Sequence, residues 1–292
     1  MMDIVQLLNA KRVLPSKSVI KNLTLLSKQY GIETYLVTTS DKKYILKLNK
    51  KPTNQLTVLK EIYEDLQDIK FISLKIYYSD NDLLLMEYFE NEKNYIPSID
   101  DYEILAKFLT ELHSKKALYY GYGYSTYLGN LVQNNEKSSS WTKFFLEYRY
   151  DYYLEILLNR SLIDEIRYNK YKTFREIIKK NLPEPSHPSL LHGDIWRGNI
   201  LINRQAKIHR YKIIDPAIFY GDCEYELAYI YQNGTFGRGF YECYDGINKI
   251  SDEFWDFKIL IYQIIPLMQY AILENQFYLR EIDKIIDYIG GV

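Results

Sequence analysis

Leu190-Leu191-His192-Gly193-Asp194-Ile195-Trp196-Arg197-Gly198-Asn199-Ile200-Leu201-Ile202 is the stretch from which the rest of the chain is read. Two short apolar runs bracket a polar loop, which predicts a β-hairpin-like unit with Asp194 and Asn199 at its mouth. Asn199 follows Asp194 by five residues, and sixteen residues further on the apolar pair Ile213-Ile214 runs straight into Asp215. A lone Asp-x-x-x-x-Asn carries no information, and His192 by itself reads as a hydrogen-bonded core histidine. Together, His-Gly-Asp, the Asn at plus five and a strand-terminal Asp define a chemistry.

That chemistry is phosphoryl transfer. It needs a carboxylate to orient the acceptor hydroxyl and receive its proton, the role predicted for Asp194. It needs hard oxygen ligands for Mg2+, which the Asn199 amide and the Asp215 carboxylate provide. The catalytic loop of protein kinases has the same Asp-to-Asn spacing, with a metal-binding Asp downstream. ATP and Mg2+ are the cofactors this pattern predicts.

Upstream, the first ninety residues read as a small α+β unit. Glu33 to Thr38 and Tyr44 to Leu48 are strand-like, a helical pattern runs through Leu56, Leu59, Ile62, Tyr63, Leu66 and Ile69, and two further strands follow at Ser73 to Tyr78 and Leu83 to Phe89. Lys47, on the second strand, is predicted to reach the phosphates of ATP as a point charge. Its carboxylate partner is expected from the helix, where Glu61 and Glu64 both flank the polar face; Glu61 is preferred, and helical phase does not separate them. Leu84 to Phe89 resembles a hinge strand whose backbone bonds adenine, which puts Glu87 and Phe89 at the nucleotide. Gly31 is the one candidate for a phosphate-loop glycine, so a Gly-x-Gly-x-x-Gly loop is absent. From Tyr102 onward the chain is mainly helical, with apolar residues at helical spacing over 102–113, 141–160, 163–180 and 254–273. The prediction is an α+β, protein-kinase-like bilobal fold: a small β-rich N-lobe over 1–90 that clamps nucleotide, and a larger, mainly helical C-lobe over 91–292 that carries catalysis and acceptor binding.

The chain's 292 residues are 47% hydrophobic and 26% charged, with 37 Lys+Arg against 38 Asp+Glu and a formal net charge of −1. A balance so close to neutral argues against nucleic acid or an acidic membrane as partner. Cys223 and Cys243 are the two cysteines, too few for a disulfide framework, and with His113, His187, His192 and His209 they show no zinc-ligand spacing. Met1 to Gln6 has no signal-peptide pattern, and Phe257 to Leu273, interrupted by Lys258, Gln263, Pro266 and Gln269, reads as a buried, Pro-kinked core helix. A cytoplasmic protein is expected. The 31 tyrosines lie along the whole chain and read as compositional bias.

The sequence resembles the fructosamine (ketosamine) kinase family, a branch of the aminoglycoside/choline-phosphotransferase and protein-kinase-like superfamily. The family's His-Gly-Asp-Leu-Trp-x-Gly-Asn stands here as His192 to Asn199, with Ile195 for Leu. Its Asp-Pro-Ala…Tyr-Gly…Glu-x-Asp-Leu-Ala stands as Asp215-Pro216-Ala217, Tyr220-Gly221 and Glu224 to Ala228. Gly129, Gln133, Asn135, Trp141, Phe144, Phe145 and Arg149 match an upstream run, and Phe236-Gly237, Phe240, Tyr241 and Tyr244 a downstream one. The match covers roughly 112–244 and is weak in the N-lobe. Cys223 and Glu226 depart from the family's Arg and Asp, and Pro266 interrupts a helix that in relatives is Leu- and His-rich.

The resemblance implies an ATP- and magnesium-dependent kinase acting on the 3-hydroxyl of a ketosamine, free or on a protein lysine, in deglycation repair. Trp196 is then a platform for the sugar face, with a buried packing role as the alternative, and Arg197 lies beside it at the acceptor. Two other readings stay open: a kinase for aminoglycoside, choline or another amino alcohol, and a non-catalytic nucleotide-binding protein. The second has no use for Lys47, Asp194, Asn199 and Asp215 together.

Overall fold

The computed structural model describes residues 4–14, 18–92, 96–206 and 210–291. His209 and the first three residues of the N-terminal reading lie outside them. The chain forms two compact units, one taking the chain up to 95 together with Ile200–Pro216, the other Ile96–Asn199 and everything from Ala217.

The first unit opens with helix α1 (Ile4–Ala10) and continues through β1 (Ile20–Gln29), β2 (Ile32–Thr39), β3 (Lys43–Asn49), helix α2 (Gln55–Asp65), β4 (Ile76–Ser79) and β5 (Leu83–Glu87). The strands form one antiparallel sheet in the order β1-β2-β3-β5-β4. Strand β5 lies between two neighbours, and its run Leu83 to Met86 is buried on both faces. Leu46, Leu48, Leu83 and Leu85 join Leu8 of α1 in one core. Strand alternation therefore turns Lys47, between Leu46 and Leu48, to the opposite face. On α2 the buried residues include Leu56, Ile62 and Tyr63, as the apolar spacing predicts.

Strand β1 has no counterpart in the sequence prediction. It is exposed or half-buried throughout, and two register irregularities break the alternation that would have marked it. Its signal is the turn instead. Tyr30 (φ 52) and Gly31 (φ 87) both lie in the left-handed region, the geometry of a two-residue hairpin loop that matches strand twist. Gly31 thus makes a turn.

The second unit begins with α3 (Ile99–His113), closed at its start by a capping box between Ser98 and Asp101. The hairpin β6 (Thr126–Leu128) and β7 (Leu131–Gln133) follows, then α4 (Trp141–Phe145), a turn of π-helix over Leu146–Asp151, α5 (Tyr152–Asn159) and α6 (Glu165–Asn181). Arg149 in the π-turn is fully buried between the rings of Phe144 (4.7 Å) and Phe219 (4.4 Å). It donates to the Asn134 carbonyl (2.5 Å) and to Asn135 Oδ1 (2.7 Å). Gln133 and Asn135 both donate to Thr126 Oγ1 (3.3 and 3.1 Å), so the family-like run of Gln133, Asn135 and Arg149 is one buried polar cluster.

Next come β8 (Ser189–Leu191), then β9 (Ile200–Ile202) and β10 (Tyr211–Ile213), and finally β11 (Phe219–Gly221), α7 (Cys223–Gln232), α8 (Arg238–Asp245), a π-turn at Phe254–Lys258, α9 (Ile259–Leu273) and α10 (Tyr278–Gly290). Strand β8 pairs with β11 and β9 with β10, so the expected hairpin between the two apolar runs does not form. The C-lobe assignment of 91–292 is corrected on the same ground, because 200–216 belongs to the first unit. Its side chains and backbone show why. Lys212 Nζ donates to the carbonyls of Lys70 (2.6 Å) and Ser73 (2.5 Å), Ile213 N–H to the Phe71 carbonyl (2.8 Å), and Ile202 N–H to Asn91 Oδ1 (2.9 Å).

Residues 254–273 are long and apolar enough to cross a membrane by length and composition, yet most of that stretch is buried inside the protein. Pro266 lies within α9 and is itself buried. The helix packs against α5, α7 and α10 as the spine of the second unit.

Candidate active site

In the second unit the loop 192–199 is anchored from beneath by Glu226 of α7. Its carboxylate accepts the backbone N–H groups of His192 (3.1 Å) and Gly193 (2.6 Å) and the Nε2 of His113 (3.0 Å). Burial works to raise the Glu226 pKa, but the His113 hydrogen bond, the nearby imidazoles and the Gly193 N–H outweigh it and hold the group below its ordinary value. The other ring nitrogen of His113 meets the Tyr244 hydroxyl at 2.6 Å. His192 is fully buried, as a core histidine should be, and its Nδ1 accepts the Asp194 N–H at 3.3 Å.

Gly193 is forced by geometry. Its φ is +82°, and a Cβ there would fall 2.2 Å from the Ala217 carbonyl oxygen. The two segments cross at this point, tied by the Ala217 N–H to the His192 carbonyl at 2.8 Å. Only glycine permits so close a crossing.

Asp194 leaves this crossing with both carboxylate oxygens held. Tyr229 donates its hydroxyl proton to Oδ1 at 2.6 Å, and Asn199 Nδ2 donates to Oδ2 at 2.9 Å and to the Asp194 carbonyl at 2.9 Å. The Asn199 amide is therefore oriented by its nitrogen, and its oxygen is the atom that a cation would meet. Trp196 is 42% exposed, with its ring lying against Gly198: a Cβ at 198 would come within 2.2 Å of the indole. Arg197 is exposed and opens the short turn Arg197–Asn199.

In the first unit Lys47 is buried and its Nζ lies 2.6 Å from Asp215 Oδ2. Asp215 has a left-handed φ of 55°, uncommon for a residue with a side chain and worth strain only where function or context fixes it. Its N–H donates to the Tyr63 hydroxyl at 3.0 Å. The other carboxylate oxygen, Oδ1, is buried with no hydrogen-bond donor among the described residues. An anionic oxygen left in that state fits a divalent cation.

The pairing of Lys47 with Glu61 is corrected. Glu61 lies exposed on α2, and Glu64 is bonded to Lys60 at 2.5 Å. Helix α2 turns Tyr63 inward instead, and the carboxylate at Lys47 comes from Asp215. Glu87 closes β5 as an exposed residue whose N–H is bonded to the Lys75 carbonyl at 2.8 Å and whose Oε2 accepts the Lys75 N–H at 3.2 Å. Phe89 lies half-buried just past that strand.

Three contributors went unassigned in the sequence: Tyr63, Tyr229 and the Glu226–His113 pair. Glu226 was visible there as a departure from a motif, and the structure shows it bearing the loop. Cys223, the other departure, is half-buried, and its thiol is pushed up to about 12 by burial and then by Asp222 and Glu224. Those two acids are engaged elsewhere: Lys258, itself buried, bonds Asp222 at 3.0 Å and Glu224 at 2.5 Å.

A carboxylate immobilised at both oxygens beside an amide, and a lysine paired to an aspartate with a spare buried oxygen, are the parts that phosphoryl transfer requires. The comparisons with known proteins agree. The family model described as fructosamine kinase matches residues 27–290. A probable ketoamine kinase of Enterococcus faecium is 28% identical over 262 residues, covering 87% of this chain and 90% of its own length. The crystal structure of a putative fructosamine-3-kinase from Thermobifida fusca superposes with a TM-score of 0.80 at 20% identity, covering 97% of this chain and 98% of its own. The streptomycin-ATP-APH(2")-IIa ternary complex superposes with a TM-score of 0.63 at 16% identity, covering 98% and 97%, and shares the fold. A protein-kinase-like fold, these two sets of side chains and a family match along almost the whole chain lead to one conclusion: the chain belongs to the fructosamine kinase family and is a phosphotransferase.

Proposed function

We propose that this kinase transfers the γ-phosphoryl group of ATP, with Mg2+, to a sugar hydroxyl of a ketosamine, the 3-hydroxyl by resemblance to the family. Asp194 orients the acceptor hydroxyl and takes its proton as the oxygen–phosphorus bond forms and ADP departs. Lys47 holds phosphate oxygens, and Asn199 and Asp215 hold the metal. Mg2+ supplies neutralisation of charge on the phosphate oxygens. The observation that carries this reading is Asp194 fixed at both oxygens with an exposed indole, Trp196, two residues away on the same loop. An aromatic face suits the C–H side of a sugar, and the adjacent Arg197 disfavours a polycationic amine. Ribulose- and fructose-amine adducts of lysine are the proposed acceptors, on free or protein-bound lysine, in a deglycation role. Free thiols at Cys223 and Cys243 support a cytoplasmic setting.

A panel of ketosamines, aminoglycosides and choline, assayed for ADP formation with ATP and Mg2+, tests the proposal. Turnover of a ketosamine is expected. Ready use of aminoglycosides or choline with every ketosamine untouched would reject it.

A further inference from the structure

Phosphoryl transfer has no evident use for a phenol, yet Tyr229 is placed where one reaches the proposed base. It sits on α7, buried, and its hydroxyl is 2.6 Å from Asp194 Oδ1. We propose that Tyr229 is a positioning residue for the transfer step, locking the rotation of the Asp194 carboxylate so that it meets the acceptor hydroxyl in one orientation. The inference rests on Asp194 acting on that hydroxyl, as the kinase reading has it.

The hydrogen-bond directions support it. A phenol has one proton to give. Tyr270 of α9, the hydroxyl neighbour at 3.5 Å, gives its own proton to Asn233 Oδ1 at 2.6 Å, and Asn233 Nδ2 in turn donates to the Tyr229 carbonyl at 2.8 Å. The Tyr229 proton goes to Asp194, because the carboxylate oxygen can only accept and lies at 2.6 Å, against 3.5 Å for the Tyr270 hydroxyl. Burial, and then the Asp194 charge, push the Tyr229 pKa well above 10, so the phenol stays a donor at any working pH. A carboxylate torsion is broad and two-fold when free. Held by Asn199 at one oxygen and Tyr229 at the other, it has one setting. The restraint costs nothing at the moment of reaction, because it is already in place.

Tyr229→Phe removes one oxygen and keeps the ring. The expected result is a fall in kcat of roughly tenfold to a hundredfold, the range for a hydrogen bond to a charged group, with KM for ATP and acceptor and the melting temperature little changed. In an Asp194→Asn background the same substitution should add less than about twofold, since residues acting as a unit are non-additive. Wild-type kcat in Y229F, or an equal loss in both backgrounds, overturns the inference. Should Y229F fail to fold, Tyr229→Met fills the volume without a donor and is judged by the same criteria. Each variant is also read by acceptor-free ATP hydrolysis, in which water replaces the hydroxyl. A wild-type enzyme that leaves every ketosamine untouched sinks the substrate reading alone, and the hydrolysis arm then decides for or against Tyr229.

Discussion

Lys47 and Asp215 are 168 residues apart in the sequence and 2.6 Å apart in the folded first unit. The pairing gives the buried lysine a charged partner, while Asp215 Oδ1 has no hydrogen-bond donor among the described residues. A buried charge without a partner is costly, so each member should matter to the other's placement.

Replacing Lys47 by Ala removes a charge-assisted contact to phosphate. ATP affinity measured by calorimetry should fall roughly 10- to 100-fold. Asp215→Ala should abolish the magnesium dependence of ATP-induced thermal stabilisation, since the uncharged Asn199 oxygen is a weak ligand alone. A full magnesium response in that variant would remove Asp215 from the metal site.

Asp194→Asn keeps the shape of the side chain and loses its basicity. Turnover should drop by at least ~10², the low end for a positioned acid–base group. ATP binding should stay near the wild-type value. Near-normal turnover would take the proton-accepting role away from Asp194.

Glu226 predicts a pH signature in stability. Its folded pKa lies below the ordinary 4.5, so its contribution is present above that value and is lost as pH falls through the folded pKa. Glu226→Gln should cost about 1–3 kcal/mol in urea unfolding at pH 7, as expected for hydrogen bonds to a charged group. The gap between variant and wild type should narrow on acidification. A gap constant from pH 7 to pH 3 would show that the charge contributes nothing.

Gly198 offers a way to move Trp196 without deleting it. A Cβ at 198 meets the indole at 2.2 Å, and the exposed ring has room to swing away. Gly198→Ala and Trp196→Ala should both raise the acceptor KM several-fold while leaving ATP affinity alone. If both variants alter ATP binding instead, Trp196 is no acceptor platform.

The sequence by itself determined what local pattern can carry. The spacing of Asp194, Asn199 and Asp215 was readable because one short loop and one strand end deliver all three. Strands β2, β3 and β5 and helix α2 announced themselves through apolar runs and helical periodicity, whereas exposed and irregular β1 had no such pattern to give. Tyr63 and Tyr229 were hidden by number: among 31 tyrosines, nothing local distinguishes the two whose hydroxyls reach Asp215 and Asp194. Tertiary structure alone decided the partner of Lys47, because helical phase ranks the faces of α2 but says nothing of a carboxylate arriving from 168 residues away. It also decided the return of 200–216 to the first unit, which depends on Lys212, Ile202 and Ile213 finding hydrogen-bond acceptors at Lys70, Ser73, Asn91 and Phe71. Buried polar groups must be satisfied wherever the chain ends up, and which groups satisfy one another is fixed only when distant segments meet.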